Sequence, residues 1–198
     1  MVSAVVLAAG QSKRMGRPKQ LLKLGDKTLV EHVVDRMLQT DVGEVIVVVG
    51  AYRQRIEEIL ANYRVKCIFN EHYNWGQGTS VAAGAAAVGD QASGIIYAVA
   101  DQPFLSPAFI NKMIRVFEET KPLILKPEVG MPAIFDISLR PELMALTGEA
   151  GGRQLIEKYR ERVMIMPGCP EMMTVDVDNE EDYLRLKKLW EQQMGDYA

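Results

Sequence analysis

The stretch Val2–Gln20, VSAVVLAAGQSKRMGRPKQ, decides the fold. Its first half is an apolar, partly β-branched run (Val2, Val5, Val6, Leu7) that stops at Gly10 and has the composition of a strand. Its second half is a loop with four cations in seven positions, Lys13, Arg14, Arg17 and Lys19, and no acid precedes Asp26. The turn therefore delivers small residues and positive charge to the C-terminal end of a buried strand, where open α/β sheets bind their ligands. An anion is required there, most simply a polyphosphate.

Outward from that stretch, short apolar runs alternate with helical patterns. Strands are predicted at Val2–Leu7, Glu44–Val49, Val65–Phe69 and Gly94–Ala100, with helices at Thr28–Gln39, Arg53–Asn62 and Thr79–Val88. Leu29, Val33, Val34 and Met37 form one apolar stripe on the first helix. The runs VIVVV and IIYAVA do not alternate with polar residues, which suits strands buried on both faces of a parallel sheet. A helix follows that is capped by Ser106, with Pro107 in its first turn and Phe109, Ile110, Met113, Ile114 and Phe117 on its buried face. Short strand-like pieces at Leu123–Leu125, Ala133–Phe135 and Val163–Met166 flank a helix at Arg153–Tyr159. Asn179 caps the closing helix, whose first turn holds Glu180, Glu181 and Asp182 and whose docking face is Leu186, Leu189 and Trp190. Strand–helix alternation with right-handed crossovers predicts a three-layer, doubly wound (Rossmann-like), mostly parallel α/β sheet in one domain over 1–198.

Charge narrows the partner. The chain carries 23 basic and 26 acidic residues, and with the five cations of residues 11–23 set aside the rest nets −8. A broad nucleic-acid surface does not fit that distribution, whereas a focused site for a small anion does. The longest apolar runs are strand-sized and Val2–Leu7 is too short for a signal sequence, so a cytoplasmic protein without membrane contact is expected. Cys67 and Cys169 are isolated and suggest neither a metal site nor a disulfide framework.

Three strand-end loops carry the chemistry. In Ala8–Lys19 the small residues Ala8, Ala9 and Gly10 leave backbone N–H groups free to approach a phosphate or a base edge; the Walker pattern and the dinucleotide fingerprint are both absent. In Asn70–Ser80, Gly76 and Gly78 loosen the backbone before Thr79 and Ser80 at a helix start, a place that favours anions or polar ligand edges, although Thr79 serves equally as a cap. Tyr73 and Trp75 can stack on a ring or seal the core, and neither His32 nor His72 is marked as a base. In Val99–Phe104, Asp101 ends an apolar strand, where a carboxylate needs a cation partner such as hydrated Mg²⁺ beside phosphates or else caps the next turn. Asp176 or Asp178 could complete that Mg²⁺ site or cap the last helix; Asp178 directly precedes Asn179, which favours Asp176. Cations, a strand-end carboxylate and no nucleophile–base pair point to nucleotidyl transfer, driven by positioning and by charge neutralisation from Mg²⁺, Arg14 and Lys19.

LAAGQSKRMGRPKQ resembles the opening signature LAxGxSxRMGxxK of the nucleotidyltransferases related to the molybdenum-cofactor enzymes. VADQPF is similar to that family's LADMPF and NWGQGTSVAAG to its GxxxSLAAG loop, and the likeness continues through GMPAIF, LTGEAGGRQLI and VDVDNEEDY. It implies that Ala8, Ala9 and Gly10 line the nucleotide, that Arg14 and Lys19 hold the triphosphate, and that Asp101 binds Mg²⁺; the loop reading adds Leu7, Gly76, Thr79 and Ser80 to the nucleotide site and Asp176 to the metal. Ala9, Gly130-Met131-Pro132 and Thr147-Gly148 through Arg153 resemble the cytidylyltransferase branch, and a methyl at position 9 narrows the base pocket toward a pyrimidine. The implied partners are CTP, a molybdopterin-type acceptor, and a molybdoenzyme or its chaperone that takes the product. Gln102 departs from the methionine common in the family, and the LILKPEVGMP segment has few basic residues for an acceptor. A guanylyltransferase, an isoprenoid-pathway cytidylyltransferase, which shares Pro18-Lys19-Gln20, and a nucleotide-binding accessory protein without turnover are the alternatives. A hydride-transfer enzyme is disfavoured by the missing glycine fingerprint.

Overall fold

The structure, a computed structural model, describes residues 1–195; positions 196–198 of the expected 1–198 domain lie outside the described residues. In chain order the elements are β1 (Val2–Ala8), the hairpin strands β2 (Lys23–Leu24) and β3 (Lys27–Thr28), α1 (Leu29–Leu38), β4 (Glu44–Val49), α2 (Arg53–Leu60), β5 (Lys66–Phe69), α3 (Gln77–Ala87), β6 (Gly94–Val99), α4 (Pro107–Thr120), β7 (Ile124–Pro127), β8 (Ala133–Asp136), α5 (Arg140–Met144), α6 (Arg153–Lys158), β9 (Val163–Met166) and α7 (Glu180–Gly195).

Seven strands form one sheet in the order β5-β4-β1-β6-β8-β7-β9. β5, β4, β1 and β6 are mutually parallel, and β8 alone runs against its neighbours. The chain builds outward from β1 to β4 and β5, then returns to lay β6 on the other side of β1. That reversal makes the carboxyl ends of β1 and β6 the switch point of the sheet, where side loops diverge and leave a crevice. The expected doubly wound fold is the observed one, and among the described residues no helix is long and apolar enough to cross a membrane.

Period-2 alternation along β1 splits its side chains between two layers. Ala4, Val6 and Ala8 face the layer of α1, α2 and α4, while Val5 and Ala9 face the layer of α3, α5 and α6. Full burial of a Val or Ile side chain contributes about 1.5–3 kcal/mol, more than the ~1 kcal/mol spread of strand propensity, so burial decides which runs become central strands. On the second face an alanine-rich α3 lies close to the sheet, because a Cβ on Gly84 would stand 2.4 Å from Val5 Cγ1. This close approach carries the first turn of α3 to the rim of the crevice.

The expected caps at Ser106 and Asn179 are present, and a further one stands at Thr28. Thr28 and Glu31 form a reciprocal capping box at α1, and Ser106 accepts from Phe109 N at the start of α4. Asn179 accepts from Asp182 N at the start of α7. A third apolar cluster joins the β2–β3 hairpin to α7 through Leu24, Leu29, Phe104, Tyr183 and Leu186, with Leu189 and Trp190 packed against it as the predicted docking face. Boundaries shift by one or two residues at several elements, and one shift bears on the site: α3 begins at Gln77 rather than Thr79, because Gly76, at φ +102°, ends the preceding turn two residues earlier. The hairpin and α5 also escaped the sequence reading, since two-residue strands and a five-residue helix have no period to detect.

Candidate active site

A cavity of about 410 Å³ opens at the switch point. Its floor is Leu7, Ala9 and Gly10 from the end of β1 and Val99, Ala100 and Asp101 from the end of β6. One wall is the basic loop with Lys13, Arg14 and Lys19; the other is the α3 side, with Tyr73, Gly76, Gln77 and Ser80. All three predicted strand-end loops therefore meet in one place.

Lys19 is the centre of the site's electrostatics. Its ammonium contacts the Asp101 carboxylate and lies 3.3 Å from Asp178 Oδ1. Lys19 and Asp101 are 22% and 13% exposed, so this pair is shielded in a way that surface ion pairs are not. Burial alone would pull the Lys19 pKa down; the charges of Asp101 and then Asp178 more than reverse that and hold it above its ordinary 10.5. Arg14 donates to Asp178 Oδ2 at 3.0 Å from a side chain that is 79% exposed, and Arg17 donates to Glu180 at 2.6 Å. The basic loop is thus tied to the first residue of α7 and to the segment preceding it.

The loop's shape is set by Gln20, which the sequence reading did not single out. Its buried amide donates to Ala8 O (3.2 Å) and Gly10 O (2.7 Å) and accepts from Ser12 Oγ at 3.2 Å. Ser12 Oγ in turn accepts from Lys19 N at 2.9 Å, and Tyr52 donates its hydroxyl to Gln11 O at 3.1 Å. Gln20→Leu leaves carbonyls and a hydroxyl without their partner and is expected to destabilise the fold by roughly 1–3 kcal/mol, read as a lowered denaturant midpoint at unchanged m. An unchanged midpoint would show that the clamp is dispensable.

Several predicted residues stand differently. Ala8 does not line the cavity, because strand alternation turns its methyl into the α1/α2/α4 layer. Thr79 is 9% exposed; its hydroxyl accepts from Asn70 Nδ2 and lies 2.9 Å from the carbonyls of His72 and Gly76, so it organises the turn rather than facing a ligand. Ser80 does line the cavity and accepts from Asn70 Nδ2 at 3.0 Å. Of the two carboxylates offered as second metal ligand, Asp178 lines the cavity and pairs with Lys19 and Arg14, whereas the expected Asp176 is not among the lining residues. Asp176 is exposed but close enough to feel the cluster, its carboxyl raised above the ordinary range by partial desolvation and then by the charges of Asp101 and Asp178. His72 stacks on Trp75 with ring centroids 4.3 Å apart, and His32 Nε2 lies 2.7 Å from Leu24 O, which leaves both histidines outside the cavity. Cys67 and Cys169 are free thiols.

Asp101 and Asp178 offer a hard, all-oxygen donor set. Among the described residues no three His, Cys, Asp or Glu side chains converge into a metal cage. Two carboxylates completed by substrate phosphate and water are the habit of Mg²⁺ and similar divalent ions, so the donor set fits such an ion arriving with a nucleotide.

A doubly wound sheet with a basic glycine turn and a strand-end carboxylate at its switch point belongs to the nucleotide-binding α/β class. Within it, residues 4–163 match the family model of the MobA-like NTP transferase domain, and the chain belongs to that family. It is 33% identical to a Paenarthrobacter nicotinovorans protein named nicotine blue oxidoreductase, over 93% of this chain and 96% of that one. A protein of Natranaerobius thermophilus named probable molybdenum cofactor guanylyltransferase is 30% identical over 65% of this chain and 61% of its own length. The crystal structure of Rv0371c from Mycobacterium tuberculosis is 30% identical with a TM-score of 0.81, covering 94% of this chain and 97% of that one. Rv0371c has also been solved in complex with manganese, at 28% identity and a TM-score of 0.78, covering 94% of this chain and 98% of that one.

Proposed function

We propose that this chain transfers a cytidylyl group from CTP to the phosphate of a molybdopterin-type acceptor, giving the cytosine dinucleotide and pyrophosphate. The observation that carries the reading is Lys19, an ammonium shared by Asp101 and Asp178 at the switch point beside Arg14. The relative named a molybdenum cofactor guanylyltransferase supports the acceptor class. Ala9, whose methyl lines the floor, supports cytosine over the larger guanine.

In this reaction an oxygen of the acceptor phosphate forms a bond to the α-phosphorus of CTP. The bond from that phosphorus to the oxygen bridging the β-phosphate breaks, and pyrophosphate leaves with the electron pair. A phosphate monoester is already ionised at neutral pH, since its second pKa is about 6, so no side-chain base is needed. The cavity accordingly contains no His or Cys among its described lining residues. Arg14, whose side chain is largely exposed, exchanges Asp178 for triphosphate oxygens, and Lys19 adds a fixed charge below them. Asp101 and Asp178 are the residues to hold Mg²⁺, which when bound neutralises triphosphate charge.

Pyrophosphate release with Mg²⁺, molybdopterin and either CTP or GTP is the test. CTP is expected to be used at least about tenfold better by kcat/KM, the scale on which a pocket of fixed size rejects excess volume. A GTP preference would replace the cytidylyl reading by the guanylyl one within the same family. The relative named nicotine blue oxidoreductase favours a second reading, an oxidation–reduction reaction, because it matches over nearly its whole length. Consumption of reduced nicotinamide without pyrophosphate release would establish that reading instead, and CTP binding without either reaction would indicate an accessory protein.

A further inference from the structure

On the α3 wall of the cavity stands a carboxylate that neither the loops nor the ion pairs account for. The turn from Leu146 to Gly152 docks on the first turn of α3 through close backbone contacts. Gly78 N donates to Gly148 O at 2.8 Å. A Cβ on Gly76 would lie 2.4 Å from the Gly148 carbonyl carbon, and one on Gly78 would lie 2.6 Å from the Thr147 carbonyl. Gly148 and Gly151 take positive φ of 72° and 51°, and Gln154 Nε2 donates to Thr147 O at 2.9 Å. Four glycines and a side-chain strap therefore fix one residue, Glu149, at the cavity beside Gly76 and Gln77.

Glu149 differs from the other two carboxylates of the cavity. Asp101 and Asp178 are neutralised by Lys19 and Arg14. Glu149 is exposed and has no ion-pair or hydrogen-bond partner among the described residues. It also belongs to the wall of Tyr73, Gly76, Gln77 and Ser80 rather than to the cationic loop. With a triphosphate on the cations, this is the wall left for the base. An ionised carboxylate only accepts hydrogen bonds. Cytosine offers it the two N–H bonds of its 4-amino group, whereas uracil offers a carbonyl oxygen, an acceptor facing an acceptor.

We infer that Glu149 is a specificity residue that selects an amino-bearing pyrimidine by accepting from its exocyclic amine. The inference rests on the nucleotidyl-transfer reading and goes beyond it, because pocket width at Ala9 separates pyrimidine from purine but cannot separate cytosine from uracil.

The test is equilibrium binding of CTP and of UTP, each with Mg²⁺, to the wild-type chain, Glu149→Gln and Glu149→Ala, with the melting temperature of each variant measured alongside. Wild type is expected to favour CTP by about tenfold or more, the usual size of a base-edge contact. Glu149→Gln is expected to bring the ratio close to one, because its amide can turn an N–H toward O4 of uracil. Glu149→Ala is expected to weaken CTP toward the affinity of UTP and to leave UTP nearly unchanged. An unaltered CTP/UTP ratio in both variants, or an equal loss for both nucleotides, would overturn the role of Glu149 while leaving nucleotide binding intact. Failure of the wild-type chain to bind either nucleotide would overturn the nucleotidyl-transfer reading together with it.

Discussion

Lys19→Ala is expected to lower pyrophosphate release by roughly 10²-fold or more, the cost of removing one preorganised charge from a site where charge develops. Three facts make Lys19 the most sensitive position. It is mostly shielded from solvent, it contacts both Asp101 and Asp178, and its backbone N–H is locked to Ser12. Its pKa is held above 10.5, so it is charged throughout the neutral range and its loss cannot be mimicked by a modest rise in pH. The linkage has a definite sign: a raised folded-state pKa means the ammonium stabilises the fold fully below about 10.5 and loses that contribution as pH rises through the folded value. The stability gap between Lys19→Ala and wild type is therefore expected to be constant across neutral pH and to close only in strong alkali. Lys19→Arg is not expected to restore the rate, since a planar fork cannot stand as a point charge between two carboxylates. A second readout separates this role from a structural one. Without the ammonium, Asp101 and Asp178 lose their shared cation, and the chain should bind Mn²⁺ more tightly before any nucleotide is added. Near-normal turnover in Lys19→Ala would sink the assignment of the basic loop.

What the sequence disclosed and what it hid follow from the range of the interactions involved. Residues 2–19 and Asp101 were legible because strand, turn and strand-end position are local properties, and parallel pairing brings the ends of β1 and β6 together without further information. The alternation of strands and helices and the helix caps at Ser106 and Asn179 were legible for the same reason. Thr79 was misplaced by the two residues between it and the real start of α3, a distance that decides whether a hydroxyl faces a ligand or its own turn. Asp176 and Asp178 differ by one strand period, so local pattern could not tell which of them pairs with Lys19 and Arg14; that contact, made by Asp178, is long-range. Gln20 and Glu149 were illegible because their significance depends on contacts to Ala8 and Gly10 in one case and on the docking of a remote turn on α3 in the other. The glycines at 76, 78, 148 and 151 are the one signal that could have indicated that docking, as they permit backbones to touch.

Gly76→Ala is expected to be the most destabilising single methyl in the molecule, at roughly 2–4 kcal/mol, because two separate costs fall on one atom. The first is conformational. Gly76 sits at φ +102°, ψ 167°, a region open essentially to glycine alone. The second is steric, since the added Cβ would lie 2.4 and 2.5 Å from the carbonyl carbon and oxygen of Gly148 and 2.8 Å from Glu149 N. Those atoms are backbone and cannot rotate away, so either α3 must retreat from the sheet or the 146–152 turn must lift off the α3 wall. α3 has little room to move, because Gly84 already rests against Val5. The turn should yield, and Glu149 with it. Gly168→Ala is the control: φ there is +78°, but nothing lies within 4 Å of the added methyl, so only the conformational cost applies. A fall in melting temperature of roughly 5–15 °C is expected for Gly76→Ala in a chain of this size, about twice or more that of Gly168→Ala. CTP affinity should fall in the first variant and hold in the second. Equal melting temperatures for the two would mean that the steric cost is absent and that the 146–152 turn does not rest on Gly76, which would remove the wall that positions Glu149.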